Sequence, residues 1–155
     1  MKLNMRKTAI AFIVILIGII VALAFTVFTP QAYHGPSKQA ETPILWTENL
    51  KEGLAKAEAQ GKPVFLLFYS EGCHWCYVLE EDIYKNGELV EILNENFVCI
   101  RVCVDTAEGK NLARNFGVIG LPTIFLLKPD GSPIEKIEGY IPPEELLLKL
   151  RNLKV

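Results

Sequence analysis

Between Pro63 and Ile83 the chain changes its period, and two cysteines stand at the change. Pro63-Val64-Phe65-Leu66-Leu67-Phe68-Tyr69 is a short apolar run rich in strand formers. Ser70-Glu71-Gly72 breaks it, and Cys76, Leu79 and Ile83 then recur at helical spacing. Cys73-His74-Trp75-Cys76 therefore opens a helix directly after a buried strand. Two thiols three positions apart can close a small disulfide ring and reopen it by thiol–disulfide exchange. The helical pattern turns Cys76 inward. It leaves Cys73 at the helix N-terminus, where unpaired N–H groups and the helix dipole favour a thiolate.

A second feature lies at the start of the chain. Ala9 to Phe28 is a nearly unbroken apolar stretch, about the ~20 residues that cross a bilayer as a helix. Lys2, Arg6 and Lys7 precede it without an acidic residue, which predicts a cytoplasmic N-terminus and an extracytoplasmic remainder. Ala22-Leu23-Ala24 resembles a signal-peptide cleavage site, but the apolar run continues beyond it through Phe28 with no polar segment, which favours a retained anchor. The organisation expected is a basic N-terminus over 1–8, a single-pass membrane anchor over 9–28, a linker over 29–44 and one folded domain over 45–155. The linker holds three prolines, a glycine and small polar residues with little periodicity.

Export sets the redox setting, since disulfides persist outside the cytoplasm. Without Lys2, Arg6 and Lys7, 13 basic residues face 18 acidic ones, a balance of −5. An acidic domain without a basic cluster has no electrostatic footprint for nucleic acid. The cysteine pair is not half of a zinc site of the usual four ligands, because Cys99 and Cys103 lie along one predicted strand and read as small buried hydrophobes. Four strand positions separate those two by about 13 Å, too far for a disulfide. Tyr77 stands where a c-type haem motif needs histidine.

The order of elements predicted for the domain begins with a helix over 47–60 capped by Thr47, then the strand 63–69 and the cysteine-bearing helix to Tyr84. A short helix over 88–94, a strand over 97–104 and a helix over 107–115 follow. A strand over 123–127 turns at Lys128-Pro129-Asp130-Gly131 into an antiparallel strand over 133–138. Pro142 and Pro143 open a final helix with Leu146, Leu147 and Leu150 as its apolar stripe. Alternation closing on a hairpin predicts an α/β domain with a mixed sheet covered on both faces.

These residues carry a family likeness. Cys73-His74-Trp75-Cys76 after a buried strand, Gly120-Leu121-Pro122-Thr123 before the hairpin and Gly139 ahead of the last helix resemble the thioredoxin superfamily. The stretch from Ser70 to Asp105, with Leu93-Asn94-Glu95-Asn96-Phe97, resembles extracytoplasmic thioredoxin-like proteins, in particular the thiol-carrying domain of the bacterial disulfide interchange reductases. The resemblance covers about residues 45–153. It implies a thioredoxin-like three-layer α/β fold, preceded here by the transmembrane helix, and a redox-active Cys73–Cys76 disulfide. It also implies a cis Pro122 lying against that disulfide, with Leu121 and Thr123 pairing with an extended substrate backbone. Its partners would be exported proteins bearing disulfides or thiols, and a membrane electron donor. No metal or organic cofactor is implied.

Two departures from the family pattern bear on mechanism. Cytosolic thioredoxins carry a buried aspartate six residues before the first cysteine, and Leu67 occupies that place. The aromatic residue usual before the first cysteine is Gly72. Arg101, four residues before Asp105, matches a family lysine beneath the active site, where it would lower the thiol pKa values; the competing expectation is an arginine at the sheet edge reaching solvent. His74 inside the ring can, when protonated, stabilise the Cys73 thiolate. Trp75 is expected at the rim, against partner proteins. Glu80, Glu81 and Asp82 read as a solvated helix face; Leu67 in place of the aspartate, which assists proton transfer at the inner thiol in that family, prompts Glu71 or Glu80 as an alternative proton relay. A protein disulfide reductase or oxidase is the function expected. Cu(I) handling through Cys73, His74 and Cys76, and a redox-inactive binding scaffold, are the alternatives.

Overall fold

The computed structural model describes residues 15–17 and 42–154. The basic N-terminus, the anchor apart from residues 15–17, which are helical, and nearly all of the linker lie outside the described residues. Among the described residues no helix is long and apolar enough to cross a membrane.

Five strands form one sheet: β1 (Trp46–Thr47), β2 (Val64–Tyr69), β3 (Val98–Cys103), β4 (Thr123–Leu127) and β5 (Pro133–Glu138), in the order β1-β3-β2-β4-β5. β1 and β2 run parallel to β3, while β4 runs antiparallel to both β2 and β5. The sheet is therefore mixed, as the alternation of elements predicts. β2 lies at its centre, and Val64 to Phe68 are fully buried. That position explains the unbroken apolar run, because both faces of a central strand are covered.

Alternate β2 side chains feed two cores. Phe65 and Leu67 pack with Leu79, Ile83, Leu89, Leu93, Leu146 and Leu150, which come from α2 (His74–Lys85), α3 (Gly87–Asn96) and α5 (Pro143–Arg151). Val64, Leu66 and Phe68 pack with Ala57, Ala113 and Phe125, beneath α1 (Leu50–Gln60) and α4 (Ala107–Asn115).

Two expectations are corrected at the first helix. Thr47 belongs to β1, in register with Ile100, and Asn49 is the cap, its side chain accepting from the Glu52 N–H at 3.0 Å. Trp46 draws this segment onto the sheet: its ring lies 6.1 Å from Phe65, and its indole N–H donates to Tyr84 Oη at 3.3 Å. That long-range packing outweighs a local capping preference.

Gly109 in α4 is required by space. A Cβ there would run into the backbone carbonyl of Cys103, which cannot rotate away as a side chain can. Gly109→Ala is expected to destabilise the domain by about 1–3 kcal/mol, the usual range for overpacking. Its urea midpoint should fall, and an unchanged midpoint would mean that α4 shifts without penalty.

Candidate active site

The turn between β2 and α2 is built by Asp105. Its carboxylate accepts from the Ser70 hydroxyl at 2.9 and 3.0 Å and from the Glu71 N–H at 2.9 Å. Ser70 Oγ then accepts from the Gly72 N–H at 3.3 Å, and the Cys73 N–H donates to the Ser70 carbonyl at 3.1 Å. The Glu71 N–H, followed by the Ser70 hydroxyl, holds the Asp105 carboxyl below the ordinary carboxylate range. A lowered carboxyl contributes its stability above the unfolded value, about pH 3.9, and loses it as pH falls through the lower native value. The turn therefore stays stapled at neutral and mildly acidic pH. Sequence reasoning gave Asp105 no role. The available signal was its place two residues beyond the end of β3, level with the strand-to-helix break.

Cys73 is the N-cap of α2. Its Sγ accepts from the Cys76 N–H at 3.1 Å, and its carbonyl accepts from the Tyr77 N–H at 3.2 Å. The sulfur thus receives one of the helix's unpaired donors, at the positive end of the dipole. Cys73 and Cys76 are joined by a disulfide, with Cα atoms 5.3 Å apart. Cys73 is half-buried, whereas Cys76 is buried with Leu79 and Ile83 along one stripe of α2. One sulfur faces outward and the other inward.

On one side of the pair the side chains form a rim. Trp75 is 56% exposed, its ring 5.5 Å from His74, itself exposed, and 5.8 Å from Tyr140. Tyr140 donates its hydroxyl to Asp82 on α2 at 2.8 Å. The Leu121–Pro122 peptide bond is cis, and the Pro122 carbonyl accepts from the Gly139 N–H at 2.8 Å. Through Gly139 and Tyr140 the proline loop is thereby tied to Trp75. Leu121 is half-buried, and Thr123 is fully buried with its hydroxyl donating to the Gly120 carbonyl at 2.7 Å. Beside this loop runs a groove of about 570 Å³, lined by Val104, Lys110, Ala113, Val118, Ile119 and Leu121 among others. Ile119 is 86% exposed at its edge.

Arg101 and Glu80 influence each other electrostatically. Arg101 pairs in register with Leu67, so it points to the α2 side of the sheet. Its guanidinium lies 5.8 Å from the Tyr69 ring and bonds Glu48 at 2.8 Å. It lies one position beyond the end of the β1 pairing, where β3 is the outer strand, with 32% of its side-chain surface in solvent. Glu80 corrects the expectation of a solvated face: its Oε1 is buried and unpartnered. Burial raises its carboxyl above the ordinary range, an effect that nearby Arg101 opposes. Cys103, expected as a buried hydrophobe, is half-buried with its thiol 3.6 Å from Asp105, whereas Cys99 is buried and its thiol is pushed up to about 12.

A thioredoxin-like domain model matches residues 50–154. The chain belongs to the thioredoxin-like family. It is 33% identical to a thioredoxin from Thermus thermophilus, with a TM-score of 0.63 over 71% of this chain and 86% of that one. Mouse spermatogenesis-associated protein 20 is 32% identical over 122 residues, covering 73% of this chain and 15% of that protein. The thiol:disulfide interchange protein DsbD of Pseudomonas fluorescens is 29% identical over 104 residues, covering 66% of this chain and 18% of that protein. The chain thus spans less than a fifth of the length of the curated relatives it matches. The thioredoxin-like fold and the Cys73–Cys76 disulfide at its helix start agree with the resemblance drawn from the sequence.

Proposed function

We propose that the chain is a thiol–disulfide oxidoreductase acting on exported proteins, held at the cell membrane by residues 9–28 with the domain outside. The observation that carries the reading is the placement of Cys73 Sγ as the cap of α2, accepting the Cys76 N–H at 3.1 Å, over an inward Cys76. The kinship with disulfide interchange proteins supports the chemistry, and the apolar N-terminal stretch supports the tether.

In the reducing direction the Cys73 thiolate attacks one sulfur of a substrate disulfide. A Cys73–substrate disulfide forms, the substrate S–S bond breaks, and one substrate thiolate leaves. Cys76 then gives up its proton, and its sulfur attacks Cys73 Sγ. The Cys73–Cys76 bond forms, the mixed disulfide breaks, and the second substrate thiolate leaves. The substrate has gained two electrons and the dithiol has lost two. Run backwards, the same steps insert a disulfide.

Roles for the other residues follow from their positions. His74, exposed within the ring, tunes Cys73 when protonated. Arg101 adds positive potential beneath the pair. Trp75 and the groove beside Leu121 offer apolar surface to a partner protein, while Pro122 and the backbone of Leu121 and Thr123 receive its extended segment. The Thr123 hydroxyl, buried on Gly120, is not part of that contact.

Cys76→Ser separates the two steps. With Cys73 intact and no resolving thiol, the reduced full-length variant incubated with insulin should accumulate a Cys73-linked mixed disulfide while turnover stops. Mass spectrometry of the acid-quenched mixture reads it. Normal turnover, or trapping through Cys103, would contradict the assignment.

A further inference from the structure

The groove beside Leu121 and the rim around Trp75 differ in charge. Of the ionised side chains on the groove's lining, Lys110 and Arg114 are basic and Asp105 is acidic. Asp105 is already engaged, its carboxylate accepting from the Ser70 hydroxyl and the Glu71 N–H at the active-site turn. Lys110 and Arg114 stand one turn apart on α4, and both are exposed. Like charges at that spacing repel and weaken a helix. The neighbouring helices pair their bases instead: Lys85 of α2 with Glu81 and Asp82 at 3.0 and 3.3 Å, Lys149 and Arg151 of α5 with Glu135 and Glu88. Among the described residues neither Lys110 nor Arg114 is in an ion pair, and Arg114 donates to the neutral side chain of Asn111. Glu108, the acid of α4, lines a separate pocket with Glu48 and Arg101. The helix thus sends its bases to the groove and its acid elsewhere.

Between the bases and the proline loop the groove is apolar. Val104, Val118 and Leu121 are half-buried there, and Ile119 is 86% exposed, so it adds little to the core. Across the loop the sign reverses. Val104, Val118 and Leu121 pack on the core beneath α1 and α4, whereas Ile141, next to Tyr140, belongs to the core beneath α2, α3 and α5. On that second side the Tyr140 hydroxyl donates to Asp82 at 2.8 Å and lies in the field of Glu144. The base there, Lys85, is already shared between Glu81 and Asp82.

Resting on the exchange chemistry proposed above, we propose that the groove selects substrate segments carrying an apolar and an acidic side chain on one flank of the attacked cysteine, and that the acidic rim by Trp75 rejects an acid on the other flank. The apolar side chain covers Ile119, Val118 and Leu121, and the acid reaches Lys110 and Arg114. Laid the other way, the same acid meets Asp82 and Glu144. Complementary charge on one side and like charge on the other set both partner choice and direction.

The test uses the reduced full-length chain and peptides of equal length, each with one cysteine held as a mixed disulfide with thiopyridine. The Cys73 thiolate attacks the peptide sulfur, the Cys73–peptide bond forms, the bond to the pyridine sulfur breaks, and thiopyridone leaves with the electron pair. Its absorbance gives the rate. Leucine and glutamate precede the cysteine in one peptide and follow it in another; lysine replaces glutamate in a second pair, and glutamine in the uncharged references. Each rate is divided by that of its reference, so a change in the reactivity of Cys73 itself cancels. On one flank glutamate should be favoured over lysine about 5-fold at low salt, as for exposed pairs of opposite charge; on the other flank lysine should be favoured. Both preferences should fade at about 1 M salt, where the screening length is about 3 Å. Lys110→Glu combined with Arg114→Glu should reverse the preference on the first flank, and the two glutamine substitutions should abolish it. Ile119→Ser should narrow the advantage of leucine over alanine beside the acid. The same charge preference on both flanks overturns the inference, as does a wild-type preference that survives charge reversal. Thiopyridone release that is equal in Cys73→Ser overturns the exchange reading, and this inference with it. Release through Cys73 without regard to charge overturns the inference alone.

Discussion

Cys73→Ser in the full-length chain is expected to abolish insulin reduction, leaving the rate of the buffer control. The loss should be complete rather than partial because no other thiol can take over. Cys76 is 3% exposed behind the ring, and Cys99 is equally buried with its thiol held protonated by burial. Cys103 is half-buried, with its thiol donating to the Asp105 carboxylate at 3.6 Å. A serine hydroxyl at the helix cap can accept the same N–H that the sulfur accepts, so the fold should survive the change. The variant therefore separates chemistry from folding. Retained turnover would remove the proposed mechanism, whereas lost turnover with an unchanged unfolding midpoint supports it.

The second large effect concerns what holds the active-site turn. Phe68 is fully buried, with its ring centroid 5.4 Å from Phe116 and 5.8 Å from Phe125. Phe116 and Phe125 complete the triangle at 5.2 Å. Truncation leaves a ring-sized void among rigid neighbours that cannot collapse into it, so Phe68→Ala should cost about 3–5 kcal/mol. That is a large part of the roughly 5–15 kcal/mol available to a small domain. Phe68 is also two residues before Ser70, where the Asp105 staple begins. Urea unfolding followed by tryptophan fluorescence measures the loss. A change below about 1 kcal/mol would mean that this aromatic cluster does not anchor the end of β2.

The two central features were legible because each declares itself over adjacent residues. A run buried on both faces, a polar break and a helical stripe containing Cys76, Leu79 and Ile83 need no distant partner to be recognised. The β4–β5 hairpin is equally local, since Asp130 and Gly131 make its turn. β1 was not legible. Its two residues owe their strand geometry to β3, some fifty positions away, and to Trp46 lying on Phe65. Thr47, a good cap by local rules, was therefore assigned the role that Asn49 holds.

Glu80 was read as part of a solvated face, although it follows Cys76 by one helical turn and its Oε1 is buried. The two acids that follow it disguised that position as part of a charged face. Arg101 shows the converse limit. Its strand position fixes the side of the sheet, but the choice between solvent, the thiols and Glu48 depends on a loop that the sequence pattern does not place. Asp105 escaped for the same reason. Its hydrogen bonds to the turn reach back 34 or 35 residues to Ser70 and Glu71, and nothing near it in the chain reports them.

The most direct measurement is residue-resolved alkylation of the reduced, full-length chain by iodoacetamide at pH 6, quantified peptide by peptide. A sulfur stabilised as an anion at a helix start should be consumed first, so Cys73 should react well ahead of Cys103, with Cys76 and Cys99 protected. Cys73 reacting no faster than Cys103 would contradict the account.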